Sequence, residues 1–389
     1  MSHSPAVPTE AQKRVALLTL HRVKNYGSVL QTLASQQMIL DLGYDVEVTD
    51  YWRPDLTDSI DEIAARMGWG TNPLRRITYR IFWGRWAARN RAVFNGFIER
   101  ELRLSEASYG RFEELRSNPP QADIYVVGSD QVWNSDYNIG GSEPFFLVHA
   151  PESAPRVAFS SSFGKTELSP TEVELIESEL PKFSAVSVRE SSAVGILREH
   201  GIGAHAVADP TLAVSPALWS RIAHARPRTE NYVLVYQLNV ASEFERVLGA
   251  ITSTLGTPEK RIALKTRSRN SRRRVVQPTV NEFVSLFRDA HHVVTDSFHG
   301  TVFSIIFNRP FSVVLPPKYG ERLRSILSYA GLENRIIAPG QKPTDADIDW
   351  GMVNERMDSY RSRTRDFLVG ALRDATNARA QEEPRSDAQ

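Results

Sequence analysis

Cysteine is absent from the 389 residues of the sequence. This absence excludes disulfide bonds, thiolate metal sites and cysteine nucleophiles, and it fits a protein of a reducing compartment. No apolar run approaches the roughly 18 residues that a membrane-spanning helix needs. The first residues, MSHSPAVPTEAQKR, lack the apolar segment of a secretory signal. We therefore expect a cytoplasmic protein.

A surplus of charge of either sign is also missing. Lys and Arg total 47 against 46 Asp and Glu, so the bulk charge indicates no nucleic-acid partner. The sequence has no HExxH pair, no Walker A loop, no GxGxxG fingerprint and no GxSxG elbow. We therefore expect no metal ion and no bound cofactor. The chemistry must then rest on histidine, arginine and carboxylate side chains that act on an anionic ligand.

Strand-length apolar runs alternate with segments of helical periodicity along most of the chain. RVALLTL, the helical VLQTLASQQMILDLG and YDVEVTDY form a βαβ pattern, which predicts a parallel sheet. The alternation breaks at HARPRTEN and restarts at YVLVYQL. We predict an α/β protein whose two Rossmann-like domains have parallel sheets facing a central cleft: an N-terminal domain at 14–223, a C-terminal domain at 231–340, a closing helix at 347–379, and disordered tails at 1–13 and 380–389.

One segment departs from this alternation. Residues 66–100 hold eight arginines and one acidic residue, together with Trp69, Trp83 and Trp86. We place the segment in a helical insertion at about 55–118. Its aromatic side chains pack on the first domain while its arginines face water, or the segment forms a basic aromatic surface for anionic lipid headgroups.

Polar residues stand where four predicted strands end, and an open α/β sheet binds its ligands outside those ends. Free N–H groups at the following helix starts, with the helix dipole, favour an anion. Local explanations exist as well. Asn25 and Ser28 can simply cap a helix, Asp130 can be a turn residue, and Asp209 before a proline favours a turn. His299, between Phe298 and Gly300, is harder to explain by folding alone.

Several stretches, taken in order, resemble the polysaccharide pyruvyl transferase family. They are NYGSVLQTLASQQMILDLGYDVEVTDY, DIYVVGSDQVWN, SVRESSAVGILREHGI with VADPTL, and VVTDSFHGTVFSIIFNRPF followed by ERLRSILSYAGLENRI. The resemblance implies a two-domain fold of the GT-B type. It also implies transfer of pyruvate from phosphoenolpyruvate, a co-substrate, to two hydroxyls of one sugar as a cyclic ketal, with release of phosphate. The acceptor would be a cell-surface or exopolysaccharide precursor.

The resemblance assigns roles to the polar strand ends. His299 matches the family's motif histidine and would be the acid/base catalyst, with Asp130 as base or hydroxyl contact. The donor would bind Arg189, Ser297, the N–H groups of Gly300 and Thr301, and the cations Lys265 and Arg322. The acceptor would contact Asn25, Tyr26, Gly27 and Ser129. The acceptor would be either free or lipid-linked. A lipid-linked acceptor would place the enzyme at the inner membrane face, in peripheral contact with the membrane.

Ser297 departs from the family, whose members often carry arginine there, as Arg-x-His-Gly. Lys265, Arg267, Lys318 or Arg322 could supply the missing cation. Two alternatives follow from the loss. The chain is a GT-B-like glycosyltransferase with a nucleotide-sugar donor, or it is a non-catalytic member that binds a glycan precursor.

Overall fold

The computed structural model describes residues 12–54, 56, 88–89, 91–138, 141–224, 230–239, 241–263, 274–316, 320–338, 340–341, 344 and 346–382. The described chain forms two parallel sheets with helices on their faces. This architecture confirms the predicted α/β class. The two sheets lie on either side of residues 225–229, which fall outside the described residues.

The first sheet has seven strands in the order β3-β2-β1-β4-β5-β6-β7, and all its paired strands run parallel. Every residue of the central strand β4, with the sequence IYVV, is buried, as a strand covered by helices on both faces requires. The strands are β1 (Arg14–Leu18), β2 (Asp45–Tyr51), β3 (Leu104–Tyr109), β4 (Ile124–Val127), β5 (Arg156–Ser161), β6 (Ala185–Val188) and β7 (His205–Ala206).

The second sheet has five parallel strands in the order β10-β9-β8-β11-β12. Counted from its own first strand, this order is 3-2-1-4-5, and the first sheet begins with the same order. Both sheets are therefore of the Rossmann type, with a reversal of strand order beside the first strand. The strands are β8 (Val233–Tyr236), β9 (Glu259–Ile262), β10 (Arg274–Val276), β11 (His292–Thr295) and β12 (Phe311–Val313).

Helices cover both sheets, and a long terminal helix spans the two domains. Its Thr364 accepts a hydrogen bond from the N–H of Ala208 in the first domain, and its Tyr360 stacks on Tyr329 of the second. The helices are α1 (Tyr26–Leu40), α2 (Phe112–Ser117), α3 (Pro170–Glu179), α4 (Ser191–Glu199), α5 (Pro210–Ala213), α6 (Pro216–Ile222), α7 (Ser242–Leu255), α8 (Val280–Arg288), α9 (Phe298–Ile306), α10 (Glu321–Ala330) and α11 (Trp350–Glu382). None of the described helices has the length and apolar character to cross a membrane.

Three details of the predicted boundaries differ in the structure. The strand β3 lies inside the segment that we placed in a helical insertion, because its LSEASY pattern pairs with β2 at the sheet edge. The helix α11 runs to Glu382, so residues 380–382 are helical rather than part of a disordered tail. Gln12, which we placed in the other tail, donates a hydrogen bond to the carbonyl of Gly43. Trp69, Trp83 and Trp86 lie outside the described residues.

Aromatic contacts join the two domains. The ring of Tyr26, at the start of α1, stacks on Phe283 of α8 with centroids 4.3 Å apart. Its hydroxyl donates a hydrogen bond of 2.6 Å to the carbonyl of Pro278. Trp219 of α6 packs edge-on against Phe303 of α9. The apolar core is continuous between the domains, so their relative position is held by packing.

One buried histidine away from this interface makes folding sensitive to acid. His149 is buried and neither ring nitrogen has a hydrogen-bond partner within the described residues. Burial, with help from Arg156, lowers the pKa of His149 from 6.5 to about 3. Between these two values the unfolded chain binds a proton that the folded protein does not. The free energy of unfolding should therefore fall as the pH decreases below 6.5, by at most about 1.4 kcal/mol per pH unit.

The variant His149→Leu is expected to make this acid dependence shallower, and urea unfolding at several pH values between 4 and 7 measures it. His205→Gln, at an exposed histidine of β7, is the control and should leave the dependence unchanged. An equally steep acid limb in His149→Leu would contradict the assignment.

Candidate active site

A cavity of about 210 Å³ lies where the reversal points of the two sheets face each other. Loops that follow β1, β4, β8 and β11 supply most of its wall, as expected for ligands of open α/β sheets. The residues that line it are Leu20, Val23, Asn25, Ser28, Arg53, Asp130, Gln131, Tyr137, Leu238, Asn239, Asp296, Ser297, Phe298, His299, Pro316, Arg322 and Leu323.

His299 reaches this cavity from the second domain, at the second position of α9. Ser297 caps the helix, and its side chain accepts a hydrogen bond of 3.4 Å from the N–H of Gly300. The imidazole packs against Gly27 of the first domain, where a β-carbon would stand only 2.1 Å from Nδ1. Its Nε2 lies 3.9 Å from Oδ2 of Asp209, too far for a hydrogen bond, and has no partner within the described residues.

Two carboxylates and an arginine of the first domain stand behind the imidazole. Arg189 donates to Oδ2 of Asp209 at 2.7 Å and to Oδ1 of Asp130 at 3.3 Å. The other oxygen of Asp130 accepts a hydrogen bond of 2.5 Å from Ser28, and Ser129 donates to Asp209 at 3.0 Å. The network fixes both carboxylates.

The backbone of Asp130 is held in an uncommon conformation. Its φ of 74° lies in the left-handed region that L-residues rarely adopt. Such strain persists only where surrounding contacts impose it, and it is often found at functional sites. Here the backbone directs a carboxylate into the cavity wall.

Charge sets the protonation states of these groups. Burial alone would raise the pKa of Asp130, but Arg189, His299 and the Ser28 hydroxyl outweigh burial and lower the pKa to about 2. The pKa of Asp209 is also lowered: burial opposes this shift, and the attraction of His299 and Arg189 prevails. Burial lowers the pKa of His299, and it outweighs the negative charges of Asp209 and Asp130, which raise that pKa. At neutral pH the unliganded site therefore holds two carboxylates and a neutral imidazole.

Arg322, at the start of α10, is a desolvated cation on the cavity wall. Its Nε is buried and has no hydrogen-bond partner in the described part of the chain. Burial and the nearby charge of Arg189 lower the pKa of Arg322 to about 10. Both guanidinium groups stack on the ring of Phe298, with carbon-to-centroid distances of 4.8 Å for Arg189 and 5.8 Å for Arg322. An anion bound in the cavity would offset the free-energy cost of burying the charge of Arg322.

Several predicted site residues come together at this cavity. Asn25, Asp130, Ser297, His299 and Arg322 all line it. Asn25 lines the cavity and also caps α1, because its side chain accepts a hydrogen bond from the N–H of Gly27. Gly27 does not line the cavity. Because it has no side chain, it leaves room for the imidazole of His299 to pack against its backbone.

Other predicted site residues have partners within the protein. The Gly300 N–H is taken by the Ser297 side chain, and the Thr301 N–H by the Ser297 carbonyl. The N–H groups of Phe298 and His299 are instead the ones that lack an intrahelical partner. Tyr26 does not line the cavity, and its ring and hydroxyl contact the second domain at the interface.

Two more predicted contacts lie behind the cavity wall. Ser129 is fully buried and bonds to Asp209. Arg189 has no exposed side-chain surface, is not among the residues that line the cavity, and donates hydrogen bonds to Asp209 and Asp130. Lys265, Arg267 and Lys318 lie outside the described residues.

Sequence reasoning missed two groups at the cavity and a second contact of a third residue. Asp209 caps α5 through Oδ1, as its place before a proline suggested, while its Oδ2 binds Arg189. Arg53 and Tyr137 line the cavity from the first domain, and only their positions in the segments that follow β2 and β4 could have indicated them. Among the described residues, no group of three or more His, Asp or Glu side chains is placed to hold a metal ion.

Solved structures similar to this one include two complexes with UDP and an epimerase of a UDP-sugar. A UDP complex of MnaA from S. aureus has a TM-score of 0.50 at 10% identity, with 95% of each chain covered. An α-glucosyltransferase in complex with UDP and DNA has a TM-score of 0.49 at 7% identity, covering 95% of this chain and 96% of the other. A UDP-N-acetylglucosamine 2-epimerase from Rickettsia bellii has a TM-score of 0.44 at 10% identity, covering 95% and 94%.

The likeness to MnaA, at 10% identity, shows the fold alone, which is of the GT-B type. A comparison with curated protein sequences gave no significant match. The model of the family described as polysaccharide pyruvyl transferase matches residues 25–316, well over half of the chain. That span includes every described residue that lines the cavity except Leu20, Val23, Arg322 and Leu323. The chain belongs to the polysaccharide pyruvyl transferase family.

Proposed function

We propose that the protein transfers pyruvate from phosphoenolpyruvate to two hydroxyls of a sugar in a cell-surface or exopolysaccharide precursor. The proposal rests chiefly on one observation: His299 and the desolvated Arg322 line the same cavity between the domains. A small donor with a carboxylate and a phosphate supplies the negative charge that this arrangement lacks.

The donor would lie against the second domain. Arg322 would bind its phosphate or carboxylate, since guanidinium groups form planar paired contacts with both. The N–H groups of Phe298 and His299 add partial positive charge at the start of α9. Ser297 would lie beside the donor but brings no charge, so Arg322 takes the place of the cation that position 297 lacks.

His299 would supply the proton that the reaction needs at C3 of the enol. When C3 gains this proton, one sugar hydroxyl bonds to C2 and releases its own proton, which returns the histidine to its acid form. The second hydroxyl then bonds to C2, the bond between C2 and the phosphate oxygen breaks, and phosphate leaves with the second proton. A neutral imidazole in the free protein gains its proton as the anionic donor binds, because nearby negative charge raises the pKa of a histidine.

Asp130 would contact a hydroxyl of the acceptor rather than remove its proton. With a pKa of about 2 it is a weak base, but it accepts hydrogen bonds well as a carboxylate. Arg189 and Asp209 would hold Asp130 and the imidazole in place from behind. Asn25 would line the acceptor side of the cavity.

Phosphate release from phosphoenolpyruvate over a panel of sugar acceptors tests the proposal, with NMR detection of the new ketal methyl group. Arg322→Gln is expected to raise the KM for phosphoenolpyruvate about tenfold or more, because a charged hydrogen bond is lost. Arg324→Gln, at an exposed arginine two residues further along the same helix, is the matched control. If the wild type neither binds phosphoenolpyruvate nor releases phosphate, while a nucleotide sugar raises its melting temperature, the proposal is wrong.

A further inference from the structure

Two exposed apolar side chains frame the mouth of the cavity. Among the described residues only five large apolar side chains are strongly exposed, and two of them, Tyr137 and Leu238, line this cavity. They face it from different domains, with 44% and 42% of their surface exposed. Exposed apolar groups that gather at one cleft indicate a ligand surface. An aromatic ring with a polar tip suits a sugar, whose C–H faces pack on aromatic rings while its hydroxyls bind polar neighbours.

The turn that carries Tyr137 is rigidly built. Trp133 is buried and donates from its ring nitrogen to the carbonyl of Phe145 at 3.0 Å. Asn134 donates to the side chain of Gln131 at 2.8 Å, and Asn138 donates to the carbonyl of Val132 at 2.6 Å. The ring therefore stands on a fixed support, which lowers the entropy lost when a ligand stacks on it.

A cation of the same wall is fixed to this turn. Arg53, buried at the end of β2, donates to Oδ1 of Asn138 at 2.6 Å and lines the cavity. Asn138 follows Tyr137 directly, so the guanidinium and the ring belong to one wall of the first domain. Asp130, ionised and aimed into the same cavity, offers an acceptor for hydroxyls. This wall thus combines a stacking ring, a hydroxyl acceptor and a cation.

We propose that Tyr137 and Arg53 form the acceptor subsite and select a saccharide that carries a negative charge, whose ring stacks on Tyr137 and whose anionic group contacts Arg53. The inference deepens the proposed function, because it names the acceptor class for the same cavity. The charge is a phosphate on the sugar, as in a precursor linked through phosphate, or a carboxylate, as in a uronic acid. Both present a pair of oxygens that the planar guanidinium can bind with two parallel hydrogen bonds.

Ligand-observed NMR on the full-length protein tests the subsite without any donor present. The probes are glucose, glucuronate, glucose 1-phosphate and inorganic phosphate. The two charged sugars are expected to bind about tenfold more tightly than glucose, with saturation transfer to their ring protons. Arg53→Gln should make charged and neutral sugars bind alike, and Arg53→Lys should restore part of the difference. Tyr137→Ser should weaken all three sugars, whereas Tyr137→Phe should retain them.

Arg103→Gln, at an exposed arginine outside the cavity, is the control and should change nothing. Glucose binding as tightly as glucuronate would overturn the inference. Full competition by inorganic phosphate, with sugar binding unchanged in Tyr137→Ser, would show an adventitious ion only and would also overturn it. If the charged sugars bind as expected but phosphoenolpyruvate releases no phosphate, the subsite stands and the proposed function fails. If transfer occurs equally to neutral acceptors and Arg53→Gln is unaffected, the function stands and the subsite fails.

Discussion

The variant His299→Gln is expected to lower kcat for phosphate release from phosphoenolpyruvate by about 10²- to 10⁴-fold, the usual contribution of a positioned acid or base. Glutamine fills a similar space beside Gly27 but cannot deliver a proton at neutral pH. The KM for phosphoenolpyruvate should change much less, because Arg322 and the start of α9 remain. A steady-state phosphate assay measures both constants, and circular dichroism verifies that the variant is folded.

The pH profile of the wild type separates this role from a structural one. Burial lowers the pKa of His299 in the free protein, and a general acid must be protonated. The value of kcat/KM, which reports the free enzyme, should therefore fall as the pH rises through this lowered pKa. The limb of kcat should lie at higher pH, because the bound anionic donor raises the pKa of the imidazole.

His205→Gln is the matched control, because His205 is exposed on β7 at the far edge of the first sheet. It should retain wild-type constants and the wild-type pH profile. Unchanged phosphate release in His299→Gln would remove His299 from the mechanism. If neither the wild type nor His299→Gln released phosphate, the result would favour a non-catalytic binding protein.

The sequence predicted the architecture because the signals for parallel sheets are local. Apolar runs of strand length and helical periodicity each depend on a few neighbouring residues. The carboxyl ends of the strands then meet at one edge of each sheet, so polar residues there share a cleft. This reasoning brought Asp130 and His299 to one cavity although 169 positions separate them.

Side-chain directions at the domain interface could not be predicted in this way. Tyr26 follows a strand end as a ligand-binding residue would, yet its hydroxyl bonds to Pro278, 252 residues away. That contact depends on how the second domain docks, which no local pattern records. Ser297 likewise has a clear signal as a helix cap. Only the structure shows that its side chain accepts the hydrogen bond of the Gly300 N–H rather than that of Phe298 or His299.

Asp209 shows how one local explanation can hide a second role. Its position before Pro210 predicts a turn or cap, and Oδ1 indeed binds the N–H and hydroxyl of Thr211. Its other oxygen binds Arg189 and Ser129. A carboxylate has room for several hydrogen bonds, so satisfying a cap leaves it able to serve a site. Arg53 had no such local signal, because its partner Asn138 follows a different strand.

At Gly27 the addition of a single methyl group should lower both the rate of phosphate release and the stability of the protein. In Gly27→Ala the new methyl group would stand 2.1 Å from Nδ1 and 2.5 Å from Cγ of His299. The imidazole is packed between the two domains, so either the ring turns away or the domains move apart. A displacement of about 1 Å at a reacting group can cost on the order of 10²-fold in rate. We expect kcat to fall by about that factor, together with a loss of stability of about 1–3 kcal/mol from overpacking.

The control is Gly195→Ala, at a helical glycine of α4 where an added β-carbon meets no atom within 4 Å. Alanine there should raise stability by about 0.4–1 kcal/mol, since it restricts the unfolded chain and favours the helix, and activity should not change. Phosphate release and urea unfolding measure the pair of variants. Full activity in Gly27→Ala would mean that the imidazole does not need its observed position against the first domain, and the catalytic arrangement across the two domains would then be wrong.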